Sequence, residues 1–262
     1  MKHLFLLIAL IACSLPLHAQ PATQPETHPS TQPATQPTVL GPMVPTRTIR
    51  VARQVTPSAR DIANRHGLAA WPTVTQLDFT FNVKTPQREI TRKWSWRPHD
   101  NQVTRTINNQ PLIFDPTTVT TDSPGPVIAA HKEFINDTYW LLFPFQLVWS
   151  NPTLNHLGST RALIANTPVT RIDITYPTGG YTPGDTYRLY LNPDLTIAEW
   201  TFARPDKPER HFAFNDPVIL GPLVTYLNHP TKSRTVNVFF TNLSLQTTDA
   251  NTPLKPIPLS TD

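Results

Sequence analysis

From Leu154 to Phe214 apolar residues return at every second position in short runs, and this period of two constrains the fold more than any other feature of the chain. The runs are Ile164, then Ile172, Ile174 and Tyr176, then Tyr187, Leu189 and Leu191, then Ala198, Trp200 and Phe202, then Phe212 and Phe214. Between them stand Gly158-Ser159, Asn166-Thr167-Pro168, Thr178-Gly179-Gly180, Asn192-Pro193-Asp194 and Pro205-Asp206-Lys207-Pro208, all built from residues that turns prefer. Connections this short force antiparallel neighbours, so the segment predicts a meander.

The same period appears earlier. Leu77, Phe79, Phe81 and Val83 share one face; after a turn at Thr85-Pro86-Gln87, Ile90, Arg92, Trp94 and Trp96 share another, which predicts a hairpin. Arg92 falls on that aromatic face, where it can stack on Trp94 or Trp96, snorkel to the rim, or grip a ligand. Val103 to Ile107 and Leu112 to Phe114 flank a second hairpin turn at Asn108-Asn109-Gln110. In the last strand, Arg234 to Gln246, Val236, Val238 and Phe240 run in phase and Leu243 and Leu245 out of phase. One extra residue near Thr241 or Asn242, a β-bulge, restores the face.

The densest apolar run, Phe134 to Trp149, is FINDTYWLLFPFQLVW. It is too short, and too interrupted by Asp137 and Pro144, to cross a bilayer as a helix. Asp137 reads as the cap of a short helix over Thr138 to Leu142. Pro144 reads as its end, tipping Phe145, Leu147 and Trp149 into an extended segment. Val127, Ile128, Phe134 and Ile135 predict a helix leading into the run, and Ser58, Asp61 and Gly67 bound another from Ala59 to His66. An all-round apolar helix must be covered on more than one side, so the run is either a core segment or part of the wall of an apolar cavity.

Lys2, the apolar stretch Leu4 to Ala12 and Leu17-His18-Ala19 have the pattern of a secretory signal peptide over residues 1–19, with cleavage after Ala19. Leu10-Ile11-Ala12-Cys13 also matches a bacterial lipoprotein box, in which Cys13 is lipidated and anchors the chain to a membrane. Residues 20–46 are a Thr/Gln/Pro-rich disordered tether, residues 47–247 a single domain, and residues 248–262 a disordered tail. Cys13 is the chain's one cysteine, so the domain is held by its core rather than by disulfides. The charge of +4 is spread out with no Lys/Arg cluster, which argues against nucleic acid as a partner.

No G-x-S-x-G elbow, H-E-x-x-H, P-loop or paired-cysteine site occurs, so neither a catalytic set nor a metal or cofactor is expected. Asp173, Asp185, Glu199 and Glu209 fall in or beside strands as solvated outer-face acids, with a carboxylate pair for glycoside hydrolysis as the alternative. His211 reads as an outward strand residue, and His66 as a cation at a helix C-terminus. His131 and Glu133, two apart, do not share a helical face.

The segments Tyr139-Trp140-Leu141-Leu142-Phe143-Pro144-Phe145 and Gly184-Asp185-Thr186-Tyr187-Arg188-Leu189-Tyr190-Leu191 resemble the LolA/LolB-type lipoprotein carriers, and more narrowly the exported proteins called outer-membrane lipoprotein-sorting-like, over about Arg60 to Gln246. The resemblance implies an α+β fold in which a strongly curved antiparallel sheet, an incomplete barrel of about nine to eleven strands, carries a few helices over its concave face. It also implies a cavity that holds a lipid or the acyl chain of an acylated protein; with the signal peptide and the missing catalytic motifs, the expectation is a periplasmic, monomeric, non-enzymatic binding protein. The expected cavity wall is Phe79, Phe81, Trp94, Trp96, Tyr139, Trp140, Leu141, Phe143, Phe145 and Trp200, with Arg92 as the candidate for the strand arginine that holds the family's lid. The alternative is a structural or interaction module that meets other envelope proteins and whose core is simply full.

Overall fold

Ser58 starts the first helix as its spacing requires. In α1 (Ala59–Arg65) the Ser58 Oγ accepts the Asp61 N–H at 3.2 Å while the Asp61 carboxylate accepts the Ser58 N–H at 2.8 Å. The helix stops before Gly67, whose φ of +94° few other residues adopt. These features belong to the computed structural model, which describes residues 56–176, 186–204, 207–250 and 252–259. The expected signal peptide, Cys13, the tether and the glycine-rich turn after Pro177 lie outside the described residues.

A 3-10 turn over Leu68–Thr73 leads into the expected hairpin of β1 (Val74–Lys84) and β2 (Glu89–Arg97), with Leu77 opposite Trp96 and Val83 opposite Ile90. The next pair, β3 (Gln102–Ile107) and β4 (Gln110–Phe114), turns on Asn108 and Asn109 at φ of 49° and 61°, the conformation a two-residue type I′ loop demands. Two helices follow, α2 (Gly125–Leu141) and α3 (Phe143–Trp149). The meander comes next as β5 (Thr153–Arg161), β6 (Pro168–Thr175), β7 (Thr186–Leu191), β8 (Ile197–Arg204) and β9 (Lys207–Ala213). The chain ends in β10 (Asn215–Leu220), β11 (Leu223–Pro230), β12 (Asn237–Thr247) and the two-residue β13 (Ile257–Pro258).

One strongly curved sheet was the expectation, and the ladders overturn it. The thirteen described strands form two antiparallel sheets, β13-β10-β11-β12-β1-β2-β3-β4 and β5-β6-β7-β8-β9, and neither closes into a barrel or curls strongly. The break falls where β4 feeds α2 and α3 instead of the next strand. The chain returns to the first sheet at Phe214, and an isolated bridge between Phe212 and Thr231 marks where the two sheets meet.

Local departures each have a physical cause. Asp137 caps nothing; it lies buried inside α2. Pro144 opens α3 rather than ending a helix, since a proline in the first turn gives up an N–H that has no helical acceptor. Phe145, Leu147 and Trp149 are therefore helical, and the joint is Leu142 at φ −122° and ψ 33°. Gly158 makes no turn but a bulge within β5, at φ +83°. The expected bulge in the last strand is present: Asp78 pairs with Ser244 and Thr80 with Thr241, leaving Asn242 and Leu243 opposite one residue, with Asn242 at φ 53°. The tail expected to be disordered is in part pinned. Leu254 exchanges both backbone hydrogen bonds with Leu245 at 3.0 and 2.7 Å, and Ile257 and Pro258 pair with β10. An apolar side chain every few positions was enough to hold residues 252–259, against the polar composition around them.

Candidate functional site

Helix α2 brings the expected cavity residues together, but in two groups on two sides of itself. Toward the five-stranded sheet, Tyr139 meets Phe143, Tyr187 and Trp200 at ring-centroid distances of 5.4, 5.8 and 6.0 Å. Trp140 meets Trp200 at 4.5 Å, Phe212 at 4.9 Å and His229 of β11 at 5.5 Å. His229 in turn touches Phe240, which holds Phe79 and Phe81. The second group faces β2 to β4: Phe134 lies 5.5 Å from Trp94 and 5.3 Å from Trp96, while Phe145 touches Trp71 and Trp149. Leu141 is buried beside the first group, its carbonyl accepting the Thr225 hydroxyl at 2.7 Å. Of the ten, all but Trp96 are at most 4% exposed.

Arg92 is buried and reaches across to α2. Its Nε donates to the Asp137 Oδ2 at 2.7 Å and its Nη2 to Oδ1, a two-point pair, and the Trp94 indole N–H donates to the same Oδ2 at 2.8 Å. The guanidinium stands 4.6 Å over the Phe81 ring. Glu133, one turn earlier on α2, binds Arg105 of β3 and lies 3.6 Å from Arg92, so two arginines of the sheet meet two acids of one helix. Burial pushes the Asp137 carboxyl up, against the lowering by Arg92 and by the Asn136 and Trp94 donors. Sequence spacing offered no sign of the pair, because Arg92 and Asp137 are 45 positions apart.

Polar atoms in the aromatic layer are unevenly satisfied. The Tyr139 hydroxyl and the Trp200 Nε1 are buried without a hydrogen-bond partner, and both belong to the group that faces the five-stranded sheet. His66 shows the opposite condition. Its Nδ1 lies 2.8 Å from the Ile62 carbonyl, which can only accept, so Nδ1 carries the proton and Nε2 accepts the Tyr226 hydroxyl at 3.0 Å. Tyr226 Oη accepts the Ile197 N–H at 2.7 Å. With the ring neutral every donor in this relay has one acceptor, and burial lowers His66 to about 4. The expected helix-end cation is thus a buried neutral tether between α1, β11 and β8. His229, fully buried against the Tyr226 and Ala213 carbonyls, is lowered by burial to about 3.

The described acids are each taken up by other groups. Asp173 pairs with Arg171 at 2.7 Å and Glu209 with Arg188 at 2.6 Å on the outer face of the five-stranded sheet, where His211 also lies, bonded to Thr201 at 2.7 Å. Asp185 lies outside the described residues. Glu199 differs: it is 1% exposed, and its carboxylate accepts the consecutive N–H groups of Leu163, Ile164 and Ala165 at 2.7 to 2.9 Å. No group of three or more His, Cys, Asp or Glu able to hold a metal occurs among the described residues.

No protein-family model matches the chain, and no curated protein does. Solved structures similar to it include a DUF1329 family protein from Desulfovibrio piger, at 9% identity and a TM-score of 0.39, which covers 71% of this chain and 90% of that one. A LolA superfamily protein from Nitrosomonas europaea gives 8% identity and 0.42, over 73% and 94%. A domain assigned to outer-membrane lipoprotein sorting from Vibrio parahaemolyticus gives 10% and 0.40, over 74% and 92%. Likeness at this level establishes neither a family nor an activity.

Proposed function

We propose that this chain is an exported, non-enzymatic binding protein that takes a lipid, or the acyl chain of an acylated protein, between α2 and the five-stranded sheet. The observation that carries the reading is the pair of unpaired donors, the Tyr139 hydroxyl and the Trp200 indole N–H, inside a buried, mainly aromatic layer. Leaving a buried donor unmade costs about 1–3 kcal/mol, and a single polar acceptor on an apolar ligand would recover that cost. In this reading Arg92 and Asp137 hold α2 on the eight-stranded sheet while its other side admits the ligand. The protein acts outside the cytoplasm, freed after Ala19 or anchored through Cys13.

A second reading, a structural or interaction module of the envelope, is favoured by the near-complete burial of nine of the ten candidate side chains. Native mass spectrometry of protein taken gently from its own host, followed by titration with a fluorescent fatty acid, separates the two. We expect bound lipid, and probe affinity weakened at least about tenfold by Trp140→Ala and by Phe143→Ala. If neither lipid nor probe binds, or if the variants lose stability with unchanged affinity in the folded fraction, the layer is core and the carrier reading falls.

A further inference from the structure

Three of the chain's six tryptophans meet at its surface. Trp71 from the 3-10 turn lies 5.1 Å from Trp96 at the end of β2 and 5.2 Å from Trp149 at the end of α3, and Trp96 and Trp149 are 6.4 Å apart. Trp149 is 41% exposed and the other two are half-buried. Phe145 and Phe134 support the three rings from inside, so the patch stands on a packed base rather than on a loop. Beside it Arg97 pairs with Asp100 at 2.8 Å, and His99 bonds the Pro72 carbonyl at 2.9 Å.

We propose that Trp71, Trp96 and Trp149 form a docking patch for the interfacial layer of a lipid bilayer. Indole joins a large apolar ring to one N–H donor, which suits the boundary between acyl chains and headgroups better than it suits water or a dry core. A patch for anionic lipid needs clustered Lys and Arg, whereas this chain's positive charge is spread out and Arg97, next to Trp96, is paired with Asp100. The matching surface is therefore a neutral, zwitterionic bilayer, and attachment does not depend on salt. Docking of this kind needs no ligand inside the protein, so failure of the fatty-acid titration leaves it standing.

The test is flotation of the full secreted chain, carrying Cys13→Ala so that an acylated cysteine cannot account for attachment, with vesicles of phosphatidylcholine alone. Tryptophan emission is recorded in parallel. Wild-type patch residues should bring the chain up with the vesicles and shift emission to the blue. Trp149→Ala should lower the partition about fivefold, Trp71→Ala with Trp149→Ala further, and a rise from low to high salt should change nothing. Should Trp149→Ala not fold, Trp149→His, which keeps a ring against Phe145, is read in its place. Absence of flotation, flotation that survives these substitutions, or flotation abolished by salt overturns the proposal. Emission that responds to soluble oligosaccharides while vesicles leave it unchanged assigns the patch to sugar rings and overturns it equally.

Discussion

Acid should unfold this protein through its histidines. His66 and His229 are both fully buried and held neutral, at about 4 and about 3 against an ordinary value of 6.5. Their folded-state values are depressed, so the unfolded chain binds more protons below pH 6.5 and stability is lost as the pH falls. Each histidine removes about 1.4 kcal/mol per pH unit in this window, so from pH 7 to pH 4.5 the two together cost about 5 kcal/mol. That is a third or more of a typical domain's stability of about 5–15 kcal/mol. Urea unfolding followed by tryptophan emission, at several pH values between 7.5 and 4.5, measures the slope. His66→Gln supplies the control, since an amide can donate to the Ile62 carbonyl and accept from Tyr226 but does not titrate. The variant should show a slope shallower than the wild type's by about 1.4 kcal/mol per pH unit below about pH 6, His131 and His156, also lowered by burial, contributing equally to both proteins. Asp137, raised by burial, acts with the opposite sign in acid, and comparing the two proteins cancels it. A wild-type slope near zero, or an equal slope in His66→Gln, would refute the reasoning.

Two further substitutions test features that hold the scaffold. Gly67→Ala places a methyl group 2.2 Å from the Pro222 carbonyl oxygen at a φ of +94°, and should cost about 3 kcal/mol or more in urea unfolding. Glu199→Gln replaces an acceptor of three backbone N–H groups with an amide that is itself half donor; it should cost roughly 2–3 kcal/mol and speed hydrogen exchange at Leu163, Ile164 and Ala165.

Pairing between sequence neighbours was legible in the alternation of residues. The hairpin on Thr85-Pro86-Gln87, the turn at Asn108 and Asn109 and the meander from Ile172 onward stand where a period of two puts them, whereas Ile164 lies in the turn between β5 and β6 and Gly158-Ser159 lies inside β5. So does the bulge at Asn242, because a slip of phase can be read without knowing the partner strand. What could not be read is which edge meets which. Alternation says that Leu77 and Leu245 each face a core, not that they face each other or that β4 and β5 belong to different sheets. Asp137 was misplaced for a related reason: an acid before an apolar run has the same sequence appearance as a cap and as half of a buried ion pair. His66 beside Gly67 reads as a cation at a helix C-terminus because the Tyr226 hydroxyl that donates to its ring lies 160 positions away. Nothing in the sequence marks Trp71, Trp96 and Trp149 as neighbours, since they stand in three elements that only packing brings together.

The pairing of β1 with β12 also sets an order of assembly. Every ladder of the five-stranded sheet joins strands adjacent in the chain, so that sheet can form as soon as Thr153 to Ala213 is available. The eight-stranded sheet cannot: β1, with Leu77, Phe79 and Phe81, has β2 on one side and open backbone on the other until Asn237 to Thr247 arrives. Such long-range closure is slow, and an unpaired apolar strand edge is a template for aggregation while it lasts. A nascent or cleaved chain that stops short of Asn237 therefore presents a ready-made sticky edge.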